Sequence, residues 1–282
     1  MNFFRRLLTN RVAEKMIIKK INAAKPGNIW IKMVPPNYLY AAKSIRKVSR
    51  NNINYVLDIS NVVDHFIYFG FKERVFDPVK EEIERSQVIF DVGANIGTTS
   101  MYFASMNKMA KVFAFEPHPG TFCRAMENLQ ANNFRNIFFY QLGFGSKPDH
   151  VKLYEVNANN PGMNRVIPGN NDFPFVTITI DAIDNFVENR DIKKIDFIKI
   201  DVEGFESEVI SGAKYTLQKQ KPVLFLEVDD NNLRDNNSSA HELIKILLSY
   251  GYTSFYRADT NTPVNPDTDF KDCHYDVIAR AL

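Results

Sequence analysis

Along the chain, short apolar runs alternate with stretches whose apolar residues recur every three or four positions. The pattern is clearest from Gln87 onward. "QVIFDVG" predicts a buried strand, "TTSMYFASM" a helix, "KVFAFEP" a second strand, "TFCRAMENLQANN" a helix and "NIFFYQLG" a third strand. An irregular stretch follows, in which strand-like "HVKLYEV" and "FVTITID" flank the Asn- and Gly-rich "NANNPGMNRVIPGNND". Then come a short helix "AIDNFVENR", a fourth strand "IDFIKID", a helix "ESEVISGAKYTLQKQ" and a fifth strand "PVLFLEV". The helix "SAHELIKILLSYG" opens with a capping box, Ser239 to Glu242, and "YTSFYR" and "YDVIARAL" supply two last strands. Strands alternating with helices at this spacing predict an α/β, Rossmann-like, mostly parallel sheet with helices on both faces. Such sheets bind ligands at the carboxyl ends of their strands.

Before Gln87 the pattern differs. Phe3, Phe4, Leu7, Leu8, Val12, Met16, Ile17 and Ile21 recur at helical steps, with Arg5, Arg6, Arg11, Lys15, Lys19 and Lys20 between them. This predicts one basic amphipathic helix, ended by "KPGN" near Lys25. Its apolar side suits packing on this chain or on a second copy; its charge suits an anionic membrane or an acidic partner. "NIWIKMV" and "INYVLDI" read as strands, "PPNYLYAAKSIRKV" as a turn and a helix, and "FDPVKEEIERS" as a helix begun by proline. The expected organisation is a basic extension over 1–50, a lead-in or cap over 51–86 and a main domain over 87–282.

Composition adds two points. With 282 residues, 45% apolar and 24% charged, the chain is an ordinary globular protein with no apolar run of membrane-spanning length. Cys123 and Cys273 lie far apart and outside any CxxC pattern, which fits a reducing, cytoplasmic setting better than a disulfide or zinc framework. The net charge of +2 conceals an asymmetry. Residues 1–50 hold twelve Lys or Arg and one acid, Glu14, which leaves 23 basic and 32 acidic residues in the remainder. An acidic body without a recognisable reading module points away from nucleic acid.

The candidate chemistry sits at strand ends. "DVGANIG" supplies Asp91, Gly93, Asn95 and Gly97 at a strand-to-helix turn, where glycines let backbone approach a ligand. Asn95 stands where a dinucleotide fingerprint has its second glycine, which counts against a nicotinamide-dependent oxidoreductase. Glu116 ends the second strand, where an acid meets ribose hydroxyls in such folds.

"FDVGANIGTTS", "FEPHPGTFCRAMENLQAN", "TITIDAID", "IKIDVEGFESEVISGA" and "PVLFLEV", in this order, resemble the FkbM family of S-adenosylmethionine-dependent methyltransferases from about Gln87 to Val228. The resemblance implies the class I methyltransferase sheet of seven strands, the last antiparallel, and S-adenosylmethionine as donor. It implies that Asp91, Gly93, Asn95 and Gly97 line the donor's methionine, that Glu116 binds the ribose with Pro117 and His118 beside it, and that Leu142 and Gly143 border the adenine. For Pro117 and His118 a plain turn and helix start is an equal reading. The family acts on varied hydroxyls, which makes a sugar or glycan precursor the expected acceptor. A non-catalytic donor-binding or scaffold protein is the alternative from another class.

Methylating a hydroxyl calls for a group that takes up its proton. Candidates at the carboxyl edge are Asp201, Glu203 and Glu206 after the fourth strand, and Glu227, Asp229 and Asp230 after the fifth. Asp201 is the expected central carboxylate and Glu227 its partner, one taking the proton while the other orients the acceptor. Glu203 is expected to shape the site, and Glu206 to settle a helix start. His274, before the last strand, adds a group whose ordinary pKa suits proton transfer; a structural role is the competing reading. A divalent metal held by these acids with Asp229, Asp230, Asn231 and Asn232 is possible chemistry but not favoured. Asn157, Asn159, Asn160, Asn164 and Arg165, between Tyr154 and Asp172, are candidate acceptor contacts. His65, His150 and His241 are expected to be structural.

Overall fold

The computed structural model describes residues 2–23, 29–70, 75–157, 160–169 and 172–281, and divides into two compact units. One comprises residues 1–74 with 157–162; the other holds 75–156 and 163–282. Asn159 and the predicted helix end near Lys25 lie outside the described residues.

In the smaller unit, the single amphipathic helix predicted at the start is two helices. α1 (Asn2–Arg6) ends in a turn, and α2 (Arg11–Ala23) begins anew where the Asn10 side chain accepts from the Ala13 amide. "NIWIKMV" contains a short helix, α3 (Ile29–Met33), rather than a strand. "SIRKV" forms a strand, β1 (Ile45–Arg50), rather than a helix, and pairs antiparallel with β2 (Ile53–Asp58). α4 (Val62–Phe69) completes the unit and stops at Gly70 in the left-handed region. Glu14 is fully buried here, held by two 2.8 Å bonds from Arg46 and one of 3.0 Å from the Tyr68 hydroxyl. The His65 Nε2–H donates to the Pro35 carbonyl at 2.7 Å, a structural role.

The larger unit begins with α5 (Lys80–Arg85) after a 3₁₀ turn containing Pro78. β3 (Val88–Val92), α6 (Thr98–Met106), β4 (Lys111–Phe115), α7 (Pro119–Gln130) and β5 (Ile137–Tyr140) follow the predicted alternation. Next come β6 (Gly143–Phe144), β7 (Asp149–Tyr154), β8 (Arg165–Val166), β9 (Phe175–Asp181) and α8 (Ile183–Asn189). The last elements are β10 (Phe197–Ile200), α9 (Glu206–Ser211), α10 (Lys214–Gln220), β11 (Val223–Asp229), α11 (Asp230–Asp235), α12 (Ala240–Ser249), β12 (Ser254–Arg257) and β13 (His274–Arg280). The expected long helix after the fourth strand is thus two short ones. The break falls at Gly212, the C-cap of α9, where the backbones pass so closely that an added Cβ would lie 2.0 Å from the Gly145 carbonyl oxygen.

Seven strands form the main sheet in the order β12-β13-β11-β10-β3-β4-β5, parallel except for β13, which runs antiparallel to both neighbours. This is the class I methyltransferase sheet. Successive strand residues face opposite sides, so each face has its own core. Phe90, Phe115, Ile200 and Leu226 pack with α8, α9 and α12 on one side. Ile89, Val112, Phe197 and Phe225 pack with α5 and α6 on the other. A second sheet, β6-β9-β7-β8, gathers the stretch that reads as irregular in sequence. Cys123 and Cys273 are free thiols, and no helix among the described residues is long and apolar enough to cross a membrane.

Candidate active site

Parallel strands end together, so their carboxyl termini form one edge. At that edge β3 delivers Asp91 and the turn to α6. Gly93, Asn95 and Gly97 all have positive φ, at 78°, 50° and 81°. The amides of Gly93 and Ala94 donate to the Phe115 carbonyl at 3.0 and 2.9 Å, tying the turn to the end of β4. Glu116 is the next residue. Its carboxylate accepts from the Asn95 amide at 3.0 Å and the His118 amide at 2.9 Å. Burial raises its pKa to about 7 against the pull of those amides. The structure therefore brings Asp91, Gly93, Asn95, Gly97 and Glu116 together on one rim, the carboxyl edge of the sheet.

Pro117 lies against Gly143, where an added Cβ would come within 3.3 Å of the proline. Leu142 is half-buried on the main core. The His118 ring is already engaged. Nδ1 caps α7 by accepting from the Thr121 amide at 3.2 Å, and Nε2 lies 3.0 Å from Glu155. Its backbone amide, not its ring, is what reaches Glu116.

The turn touches the second half of the edge directly. A Cβ on Gly93 would sit 1.8 Å from the Asp201 carbonyl oxygen, so only glycine lets the two backbones meet. Beside this contact stands Lys199, a residue the sequence reading passed over. It is 4% exposed in β10, with Nζ 2.9 Å from the Gly93 carbonyl, 3.1 Å from Asp201 and 3.5 Å from Asp91. Burial opposes its charge, but Asp201 and Asp91 outweigh burial and raise its pKa. Asp91 is itself pushed up by burial and drawn down by Lys199 and by the Ser100 hydroxyl. An ammonium and a hydroxyl donor thus oppose the burial of the Asp91 carboxylate. The available signal was a lysine inside an otherwise apolar strand, which is rarely buried without a partner.

Asp201, Glu203 and Glu227 converge until their carboxylate oxygens lie within 4.8 Å of one another. Burial, then the charges of Asp201 and Glu203, raises the Glu227 pKa far above the carboxylate range. One Glu227 oxygen is buried without a hydrogen-bond partner. Glu203 is raised too, by burial and then by Asp201. It sits at φ 54° and accepts from the Asn232 side chain at 3.0 Å. Asp276, opposite Glu227 on β13, was also missed; burial and Asp201 raise it to about 7.

Glu206 is fully buried at the first position of α9. Its carboxylate reaches back to the Val202 and Gly204 amides at 3.1 and 3.2 Å and pins the loop that carries Glu203. His274 points Nε2 toward Glu227 at 3.8 Å while Nδ1 rests 2.8 Å from Asp229. Asp229 also caps α11, accepting from the Asn231 and Asn232 amides. Burial alone would raise its pKa, but those amides and His274 hold it below the usual range. Asp230 is buried, bonded to the Ala240 amide and Arg234. Asp229, Asp230 and Asn232 are thus committed to α11 and its neighbours rather than free as metal ligands. Arg165 joins this network through Asn232 and lies 3.3 Å from Asp235.

Residues 91–254 match the Methyltransferase FkbM domain. The chain belongs to the FkbM methyltransferase family. This FkbM chain is 33% identical over 138 residues to the hexuronic acid methyltransferase AglP of Haloferax volcanii, covering 49% of this chain and 54% of AglP. It is 23% identical over 177 residues to the 2-O-methyltransferase NoeI of Sinorhizobium fredii, covering 58% of this chain and 72% of NoeI. A solved FkbM methyltransferase from Methylobacillus flagellatus superposes with a TM-score of 0.46 at 20% identity, over 69% of this chain and 43% of that one. The FkbM chain therefore spans about half the length of AglP.

Proposed function

We propose that this chain is an S-adenosylmethionine-dependent O-methyltransferase acting on a hydroxyl of a sugar or glycan precursor. The observation that carries the reading is the backbone contact of Gly93 with Asp201, which joins a donor-binding turn to a cluster of acids. Among its relatives, the hexuronic acid methyltransferase AglP supports a sugar-type acceptor and the 2-O-methyltransferase NoeI supports transfer to oxygen.

The rim fits the donor. Glu116 is buried and fixed by two amides, yet its carboxylate keeps lone pairs for ribose hydroxyls. When bound, the donor supplies a methyl group on a sulfonium, a strong electrophile. The chain's part is to hold an acceptor hydroxyl in line and to receive its proton. Glu227, with its raised pKa, keeps its own proton at neutral pH and orients the acceptor oxygen. Asp201, at 41% side-chain exposure and anchored by Lys199, receives the proton. His274, aligned by Asp229, passes it to solvent.

The test is donor consumption against a panel of sugars and nucleotide sugars, with S-adenosylhomocysteine as the measured product. Asp201→Asn is expected to lower turnover by roughly 10²–10⁴-fold while leaving the donor dissociation constant unchanged. Near-intact turnover in that variant would remove Asp201 from the mechanism. A second reading rests on the 4.8 Å grouping of Asp201, Glu203 and Glu227, a spacing that suits a hard divalent cation with oxygen ligands. Activity that survives exhaustive chelation eliminates it.

A further inference from the structure

The predicted apolar residues of the first helix divide between two faces: Ile17 is buried, while Leu7, Val12 and Met16 are exposed. On α2, Glu14, Ile17, Ile18 and Ile21 follow the i, i+3, i+4, i+7 spacing of one face and turn inward; Ile17 is 2% exposed. Val12, Lys15, Met16, Lys19 and Lys20 follow the same spacing on the opposite face, and all five are exposed. Val12 is 78% and Met16 56% exposed, and Leu7 in the turn before α2 is 63% exposed. The outward stripe therefore mixes bare apolar side chains with three ammonium groups. The one acid among the first fifty residues, Glu14, does not balance it, being sequestered by Arg46 and Tyr68.

From this we infer that the outward face of α2 docks on an anionic lipid surface. Each half of the pattern has a counterpart there. Val12 and Met16 enter the boundary between headgroups and acyl chains, and the lysine stems lie along it with their ammonium groups at the phosphates. Anionic lipid attracts each such lysine by about 1 kcal/mol. A nucleic acid would match the charge but leave the apolar residues without a role. The same stripe on a second copy would repel it.

The experiment is vesicle flotation of the full chain, with the lone tryptophan, Trp30, as a fluorescence reporter on neighbouring α3. Vesicles are pure phosphatidylcholine, or the same lipid with about one third phosphatidylglycerol, at low and high salt. The chain floats with the anionic vesicles at low salt and stays behind with the neutral ones. The combined substitution Lys15→Gln, Lys19→Gln and Lys20→Gln weakens partitioning on the order of 100-fold. Val12→Ser with Met16→Ser weakens it at unchanged charge. All five positions are exposed, and circular dichroism checks that the variants fold. The inference falls if neutral and anionic vesicles bind equally or neither binds, or if the Val12/Met16 variant binds as well as the parent. It falls too if the lysine substitutions dissolve a dimer in vesicle-free sedimentation while flotation is absent. None of these readouts depends on methyl transfer, so the proposed activity can fail without touching this result.

Discussion

Lys199 shows what a single residue can hold together. Its ammonium spans the Gly93 carbonyl and two acids, Asp91 and Asp201. Lys199→Met keeps the bulk and removes the charge, leaving Asp91 buried without its counter-ion. It should cost about 3–5 kcal/mol in denaturant unfolding. Adding Asp91→Asn should recover part of that loss; a strictly additive double variant would show that the two residues do not act as a pair. Gly93→Ala should be more damaging than Gly169→Ala. Both glycines have positive φ, but the first would drive its Cβ to 1.8 Å from Asp201, while the second meets nothing within 4 Å. The control should lose about 1–2 kcal/mol and Gly93→Ala clearly more. Asp91, Glu116, Asp201 and Glu227 were legible because acids at the ends of apolar strands need a partner or a task. Lys199 and Asp276 were not, because each reads as one polar interruption in a strand until the neighbouring strands are aligned.

Elements were legible where periodicity was long and failed where it was short. β3, α6, β4 and α7 follow directly from their patterns. "NIWIKMV" is a brief apolar run that periodicity cannot assign to helix or strand, and it folds as α3. The break between α9 and α10 was hidden for another reason. Gly212 is passed over within a helical pattern, and its close approach to the Gly145 backbone is a tertiary contact that periodicity does not register. Asp184 then serves α10 from outside, accepting from the Tyr215 and Thr216 amides at 2.8 Å each. Gly212→Ala should accordingly destabilise the unit by displacing the backbone around β6. Ser239→Ala, which removes the cap of α12, should cost about 1 kcal/mol, measured by thermal or urea unfolding.

For the molecule as a whole, the buried acids set a pH dependence. Glu116, Glu203, Glu206 and Asp276 each have a pKa raised to about 7, chiefly by burial. Folded-state values above the unfolded ones mean that these groups favour the fold when protonated. Their contribution is full below the unfolded carboxylate range and is lost as pH rises through about 7. His65, lowered by burial, works the other way across the same range. With four such acids against one histidine, the ligand-free chain should melt at a higher temperature at pH 5 than at pH 8, with the difference reduced in Glu116→Gln. A melting temperature that climbs steadily over that range would contradict the assignment. The order of the strands has a further consequence for how the chain is made. β13 follows every other strand of the main sheet in sequence, yet it lies between β11 and β12. Until it emerges from the ribosome, β11 has a bare edge, β12 has no neighbour in the sheet, and Glu227 lacks both His274 and Asp276. The nascent chain can thus assemble the Gly93 turn with β3, β4 and β5 early, while the Asp201–Glu227 side of the edge must wait for β13.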